Sequence, residues 1–309
     1  MKTFLYLTKR NIKVFFTDKG MFFASMITPI ILLVLYGTFL AGIYERTFTS
    51  YIPAGVNLGD DIIKPAVSGQ IVSSILAVCC ITVAFCSNVL MSEDKVKKVV
   101  NDFMVSPVKR STLQLSYFFA TWISTLIVNL IALAAGLIYV VITGWLLTAG
   151  DVFLLISDIF LLSAFGSAMS SAINFFLRTE GQISCVGTIV SAGYGFVCGA
   201  YMPLNTFSSG LRNFFMFLPG TYGTCLLRRH ALSGVVRALQ EKGISGESLD
   251  MFKESMDFSL KFFSHDVPVW AMYLTMLLGI LLFLAIYIGC AVLKYRNFSL
   301  NLNKKKVNN

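Results

Sequence analysis

The sequence predicts an all-α membrane protein, and three observations carry the prediction. Apolar residues make up 56% of the chain and charged residues 13%, a balance that excludes an ordinary soluble domain. Uncharged or nearly uncharged runs of about 20 residues, the length that crosses a bilayer, recur along the chain. Most of the 25 Lys and Arg residues lie in short segments between alternate runs, as the positive-inside rule requires of the cytoplasmic side. Cations split in this way mark topology and exclude a nucleic-acid footprint.

Residues 1–20 come first. Leu5, Ile12 and Phe16 recur at helical spacing, and Lys2, Lys9 and Lys13 follow the same spacing on another face. This pattern predicts an interfacial amphipathic helix with its cations toward lipid phosphates; a ragged polar leader is the alternative. Met21–Ile43 mimics the apolar part of a signal peptide but is too long for one, and is read as a retained first span. The loop 44–65 carries Tyr51–Gly55, where Pro53 and Gly55 mark a turn, and the acidic pair Asp60–Asp61. Two carboxylates without further oxygen ligands make weak calcium chemistry, so a solvated loop is expected.

The second and third spans are expected at 66–91 and 112–142, joined by the charged segment 92–111. There Val96, Val99, Val100 and Phe103 fall at i, i+3, i+4 and i+7, the face of one helix. Glu93 and Asp94 would lie in its first turn, where the dipole favours anions, and Pro107 would stop it after Ser106. A short amphipathic helix between two spans gives a soluble partner something to push.

The fourth and fifth spans, at 152–177 and 181–200, are rich in small residues. Ser163–Ala172 and the series Gly187, Ser191, Gly195, Gly199 permit close helix approach, as static packing or as a sliding surface. Asp158 lies near the start of the fourth span and reads as a headgroup-level carboxylate, with a proton relay as the rarer alternative. Asn88, Asn129 and Asn174 lie within spans, and hydrogen bonds between helices account for them.

Residues 201–268 form one long extracytoplasmic region. Gly210 and Pro219-Gly220 break the apolar stretch Phe207–Leu227, which predicts two re-entrant half-helices. A seventh crossing would carry Lys304–Lys306 outside, against the positive-inside rule. Residues 231–265, with alternating charges from Glu241 to Lys261, read as a soluble helical piece. The sixth span is expected at 269–293, and both termini then face the cytoplasm.

Catalytic chemistry is sparse. The chain has no GxxxxGK[ST] to cradle ATP phosphates and no GxSxG or HExxH. The seven cysteines lack CxxC spacing and read as buried thiols, and His230 and His265 are the two histidines. No catalytic or metal-ligating set is expected. A chain with so little charge in its spans must be passive or take work from elsewhere.

Three ordered landmarks give a resemblance. Glu93 leads an amphipathic stretch ending in Met104-Val-Ser-Pro-Val-Lys-Arg110. A small-residue span ends in Gly199-Ala-Tyr-Met-Pro203. Leu218-Pro-Gly-Thr-Tyr222 runs on to Arg228. In this order, across nearly the whole chain, they resemble the type-2 family of ABC exporter permeases, which includes drug-resistance and polysaccharide-export subunits. The sequence departs from the family pattern at Val96-Lys97, where Gly-Thr is usual, at Pro53-Ala-Gly55, and in a longer 231–265 stretch.

The resemblance implies one permease domain over 1–309, paired with a second permease subunit and energised by a separate ATP-binding subunit that holds the ATP and magnesium. This chain would bind no cofactor of its own. The implied ATPase-coupling interface is Glu93, Val96, Lys97, Val99, Val100 and Phe103, with residues 1–20 as a second contact. Pro203, Pro219 and Tyr222 are the implied outer gate. The expected cargo is amphipathic (a drug, lipid-linked glycan or peptide), and the expected location is the plasma membrane of a bacterium. An ion-coupled secondary transporter is the main alternative, weakened by the lack of a convincing internal repeat. A membrane enzyme or scaffold lacks convergent acid, base or metal ligands.

Overall fold

Apolar runs in a medium without water must satisfy their backbone groups internally, and here they do so as helices. The computed structural model describes residues 2–50, 59–105, 108–263 and 265–307. The predicted turn at Pro53–Gly55 and the helix stop at Pro107 lie outside these residues. The chain begins with α1 (Lys2–Thr17), then α2 (Lys19–Leu35), a π-helical turn (Tyr36–Leu40) and α3 (Ala41–Ser50). Asp18 separates α1 from α2, and its side chain accepts from the Met21 amide to cap the second helix. The long α4 (Asp60–Val96) and the short α5 (Val99–Val105) follow, then α6 (Arg110–Thr143), α7 (Ala149–Asn174) and α8 (Glu180–Val197). A 3-10 turn (Leu204–Thr206) leads to α9 (Ser209–Phe215), α10 (Pro219–Ala231), α11 (Ser233–Glu241) and α12 (Glu247–Ser255). The strands β1 (Lys261–Phe262) and β2 (His265–Asp266) pair antiparallel before α13 (Val269–Val307).

Among the described residues, five helices are long and apolar enough to cross a membrane: Lys19–Thr38, Asp60–Val96, Arg110–Thr143, Ala149–Asn174 and Val269–Leu293. The predicted fifth span corresponds to α8, an 18-residue helix outside that set. Its many Gly, Ser and Thr residues dilute its hydropathy.

α4 is buried along most of its length, because α1, α2, α6, α7, α8 and α10 all pack on it. Small residues set the closest approaches. A Cβ at Gly166 of α7 would lie 2.6 Å from the Cys80 carbonyl oxygen of α4, and one at Gly69 of α4 would lie 2.9 Å from the Ala231 carbonyl oxygen. The Ser163–Ala172 stretch therefore packs closely on α4. The Asn88 amide donates to Ser170 Oγ at 3.1 Å and Ser171 Oγ at 2.7 Å, an interhelical bond of the expected kind. Asn129 instead bonds its own helix at Thr125 O.

Two local expectations are corrected. The stretch 92–106 is not one helix: α4 continues to Val96, Lys98 takes the left-handed conformation (φ +61°), and α5 starts afresh at Val99. Val96 therefore lies on a different helix from Val99, Val100 and Phe103. α1 packs on the rest of the chain through Thr8, Asn11 and Phe15, and Leu5 is exposed. Residues 231–265 are not purely helical, since they include β1. The apolar stretch 207–227 does divide, with Pro219 in the first turn of α10, where its missing N–H costs nothing.

Candidate functional site

Two polar nodes lie along α4, one in its last turn and one near its middle. The first is at Asp94, in the helix's last turn. Burial of a carboxylate demands partners, and Asp94 has two. Arg10 of α1 donates through Nη1 at 2.6 Å and Nη2 at 3.3 Å, and Tyr117 of α6 donates its hydroxyl at 2.6 Å. The fork of Arg matches the two carboxylate oxygens, and the Asp94 hydrogen bond holds the Arg10 guanidinium above its ordinary pKa against the opposing effect of burial. Asp94 is thus no solvated first-turn anion. Arg10 also lies 5.7 Å from the centroid of the Phe103 ring on α5, within cation–π range. One guanidinium thereby touches groups from α4 and α5 while Tyr117 ties in α6.

The predicted coupling residues surround this node. Glu93 and Lys97 form an i,i+4 ion pair at 2.6 Å, which raises the Lys97 pKa. Val100 is buried, whereas Val96, Val99 and Phe103 are half-buried. Lys95 reaches the last carbonyls of α7, Asn174 O at 2.9 Å and Phe175 O at 3.0 Å, and Ser92 Oγ donates to Asn174 O at 3.2 Å. A lysine at a helix C-terminus satisfies free carbonyls and complements the dipole. The end of α4 is therefore fastened to α1, α6 and α7 by residues that periodicity left without a role.

The second node centres on Arg228 of α10, a fully buried cation. It donates to Asp257 Oδ2 at 2.8 Å, Gly199 O at 2.8 Å and Ser74 Oγ of α4 at 3.1 Å. Asp257 Oδ2 also accepts from the Leu204 amide at 2.8 Å. Burial pushes the Asp257 carboxyl up to about 6, with the Arg228 charge and the Leu204 amide opposing. Gly199 adopts φ +75° with Leu204 packed close, a conformation that favours glycine. Pro203 precedes the 3-10 turn, Pro219 opens α10 beside Gly279 of α13, and Tyr222 is buried in α10. Arg228 joins the Gly199–Pro203 turn to the helix carrying Pro219 and Tyr222.

A third cluster forms around Asp158. It is buried within α7, about 14 Å from that helix's start at 1.5 Å per residue. His230 Nδ1 lies 2.6 Å from its Oδ2, and the Tyr273 hydroxyl of α13 donates to Oδ1 at 2.7 Å. The acidic pair in the first turn of α4 is engaged too: Asp60 pairs with Lys64 at 2.7 Å and Asp61 with Lys242 at 3.1 Å. Among the described residues no group of three or more His, Cys, Asp or Glu is placed to hold a metal.

No curated protein matches the chain significantly. The ABC-2 type transporter family matches it over residues 2–230, a span that includes both polar nodes apart from Asp257. The chain belongs to that family, whose domain is the multi-pass membrane permease of an ABC transporter and not its ATPase.

Proposed function

We propose that this chain is the permease half of an ATP-driven exporter of amphipathic cargo. Two permease subunits pair in the plasma membrane, and a separate ATP-binding subunit docks against α5 and the end of α4. The observation that carries this reading is the short α5, set off from α4 by one left-handed residue and held beside Arg10. A partner bearing on α5, where Val99 and Phe103 are half-buried and Val100 seats the helix on the rest of the chain, can move that helix, and the Arg10–Asp94–Tyr117 node passes that movement to α1, α4 and α6. Glu93 and Lys97 offer polar contacts at the rim. The basic residues of α1, 92–111 and the C-terminal tail support a cytoplasmic location for this end. Pro203, Pro219 and Tyr222 then belong to the outer gate, with Arg228 as its internal tie.

The test is Phe103→Asp in the complex copurified with its ATP-binding partner. The variant should insert and bind the partner, yet ATP hydrolysis should no longer drive transport. Normal transport by this variant would remove Phe103 from the coupling surface.

One observation favours a second reading. A carboxylate buried at membrane depth beside a histidine is the kind of group ion-coupled transporters use, and Asp158 with His230 is such a pair. Transport that survives ATP depletion and collapses with an ionophore would establish that alternative.

A further inference from the structure

The strands β1 and β2 and the turn before α10 present aromatic rings that nothing in the described chain covers. Phe263 has a positive φ of +45°, a conformation bulky side chains rarely adopt, and its ring remains 58% exposed. Strain of this kind points to a role beyond the chain's own packing. Phe217 is 66% exposed. Half-buried Phe262 lies between them, with ring centroids 4.7 Å from Phe263 and 5.3 Å from Phe217. These rings therefore form one aromatic surface fixed from below by Phe262.

The surface has a neighbour that names its occupant. α13 follows the hairpin after two residues, and its first turn carries Trp270, 69% exposed. Trp270, Leu274, Leu277, Leu278 and Leu281 follow helical spacing, and all are exposed. On a membrane-spanning helix such a stripe faces lipid, and Trp at its end marks the interface. The hairpin leads directly into that stripe. Its polar residues point to water: Lys261 pairs with Glu254 at 2.7 Å, and His265 and Asp266 are exposed. An element with exposed rings and charged groups, placed at the end of a lipid-facing stripe, has the amphipathic character of an interfacial anchor.

We infer that the Phe217–Phe262–Phe263 surface inserts into the leaflet on the α10 side. Under the proposed orientation this is the outer leaflet. The inference requires membrane insertion only and does not depend on an ATP-driven partner.

The test uses the full chain in phosphatidylcholine vesicles, with bromine at shallow or deep acyl positions. Phe263→Trp and, separately, Phe217→Trp place an indole in the surface, with Trp122, Trp145 and Trp270 replaced by Phe. Met251→Trp, on the exposed face of α12, is the control. The added indole at 263 or 217 should emit to the blue and lose intensity in brominated vesicles, more at the shallow position than the deep one. The control should be unquenched. Use of two positions covers the case in which one variant fails to fold. Emission indifferent to bromine at both positions overturns the inference, including blue-shifted emission that indicates cover by protein or a second copy. Equal quenching of the control overturns it as well.

Discussion

Removing Arg10 should damage this protein more than neutralising Asp94, although the two share one ion pair. The asymmetry follows from exposure. The Asp94 side chain is 6% exposed and that of Arg10 is 34% exposed. Arg10→Leu strands a buried carboxylate with only the Tyr117 hydroxyl as a partner. Breaking a buried pair costs about 3–5 kcal/mol, and solvent access on the arginine side places this case near 3 kcal/mol. Asp94→Asn leaves a carbonyl oxygen that still accepts from Tyr117 or Arg10, and the freed guanidinium regains water. Its cost is about 1–2 kcal/mol. Thermal unfolding of the purified chain in one detergent reads both variants, and the double variant Arg10→Leu/Asp94→Asn closes the cycle. The double variant should cost less than the sum, because its second change removes the charge that the first one stranded. A coupling of about 1–2 kcal/mol is expected for groups in direct contact, whereas independent sites add to within about 0.5 kcal/mol. Additive single variants, or an Arg10→Leu no worse than Asp94→Asn, would refute the claim that Asp94 is held as a buried anion.

Further expectations concern the helix contacts and the Asp257 carboxyl. Gly166→Val should destabilise the chain by about 1–3 kcal/mol or prevent folding, since the new Cβ meets the Cys80 carbonyl at 2.6 Å. Gly187→Val should leave the melting temperature of the single chain unchanged, because a Cβ there meets open space. Asp257, raised to about 6, binds its proton more tightly in the folded chain than in the unfolded one, where carboxyls titrate near 3.9. Its favourable contribution is therefore full below about pH 4 and lost as pH rises through about 6. Wild type should lose stability across that window relative to Asp257→Asn in parallel thermal scans; curves of equal slope would contradict this.

The helices were legible because their cause is local. An apolar run in lipid has one economical backbone solution, and Pro219 marks a boundary by chemistry visible in the sequence. The Asn88 bond to α7 followed from the need of an amide within a span to find a partner. The break at Lys98 was not legible. Lysine has no preference for the left-handed region, and Val96, Val99, Val100 and Phe103 keep helical spacing straight through it. Asp94 was misread because its partner is 84 positions away, beyond any periodicity argument. The same distance problem hid His230 from Asp158 and Ser74 from Arg228. Small-residue patterns were ambiguous for a related reason: Gly166 and Gly187 look alike in sequence, yet one meets α4 and the other meets open space.

The architecture constrains how the nodes communicate. Ser74 and Asp94 sit on the same helix, 20 residues apart, which is about 30 Å at 1.5 Å per residue. The one proline of α4, Pro65, precedes both, so no proline interrupts the helix between them. α4 is packed by neighbours on several sides and tied at Asp94 to Arg10 and at Ser74 to Arg228. Close-packed interiors transmit displacement with little compression. Under the proposed coupling, an axial shift or rotation imposed through Arg10 and α5 would be carried along α4 toward the Arg228 node. There the Gly199 carbonyl and Asp257 share the same guanidinium, so movement of Ser74 loads the turn before Pro203 and the segment after α12 together. Asp257→Asn keeps the side chain's size while removing its charge. Under this account the variant alters the Arg228 node and leaves hydrolysis by the bound partner intact, which separates transmission along α4 from docking at α5.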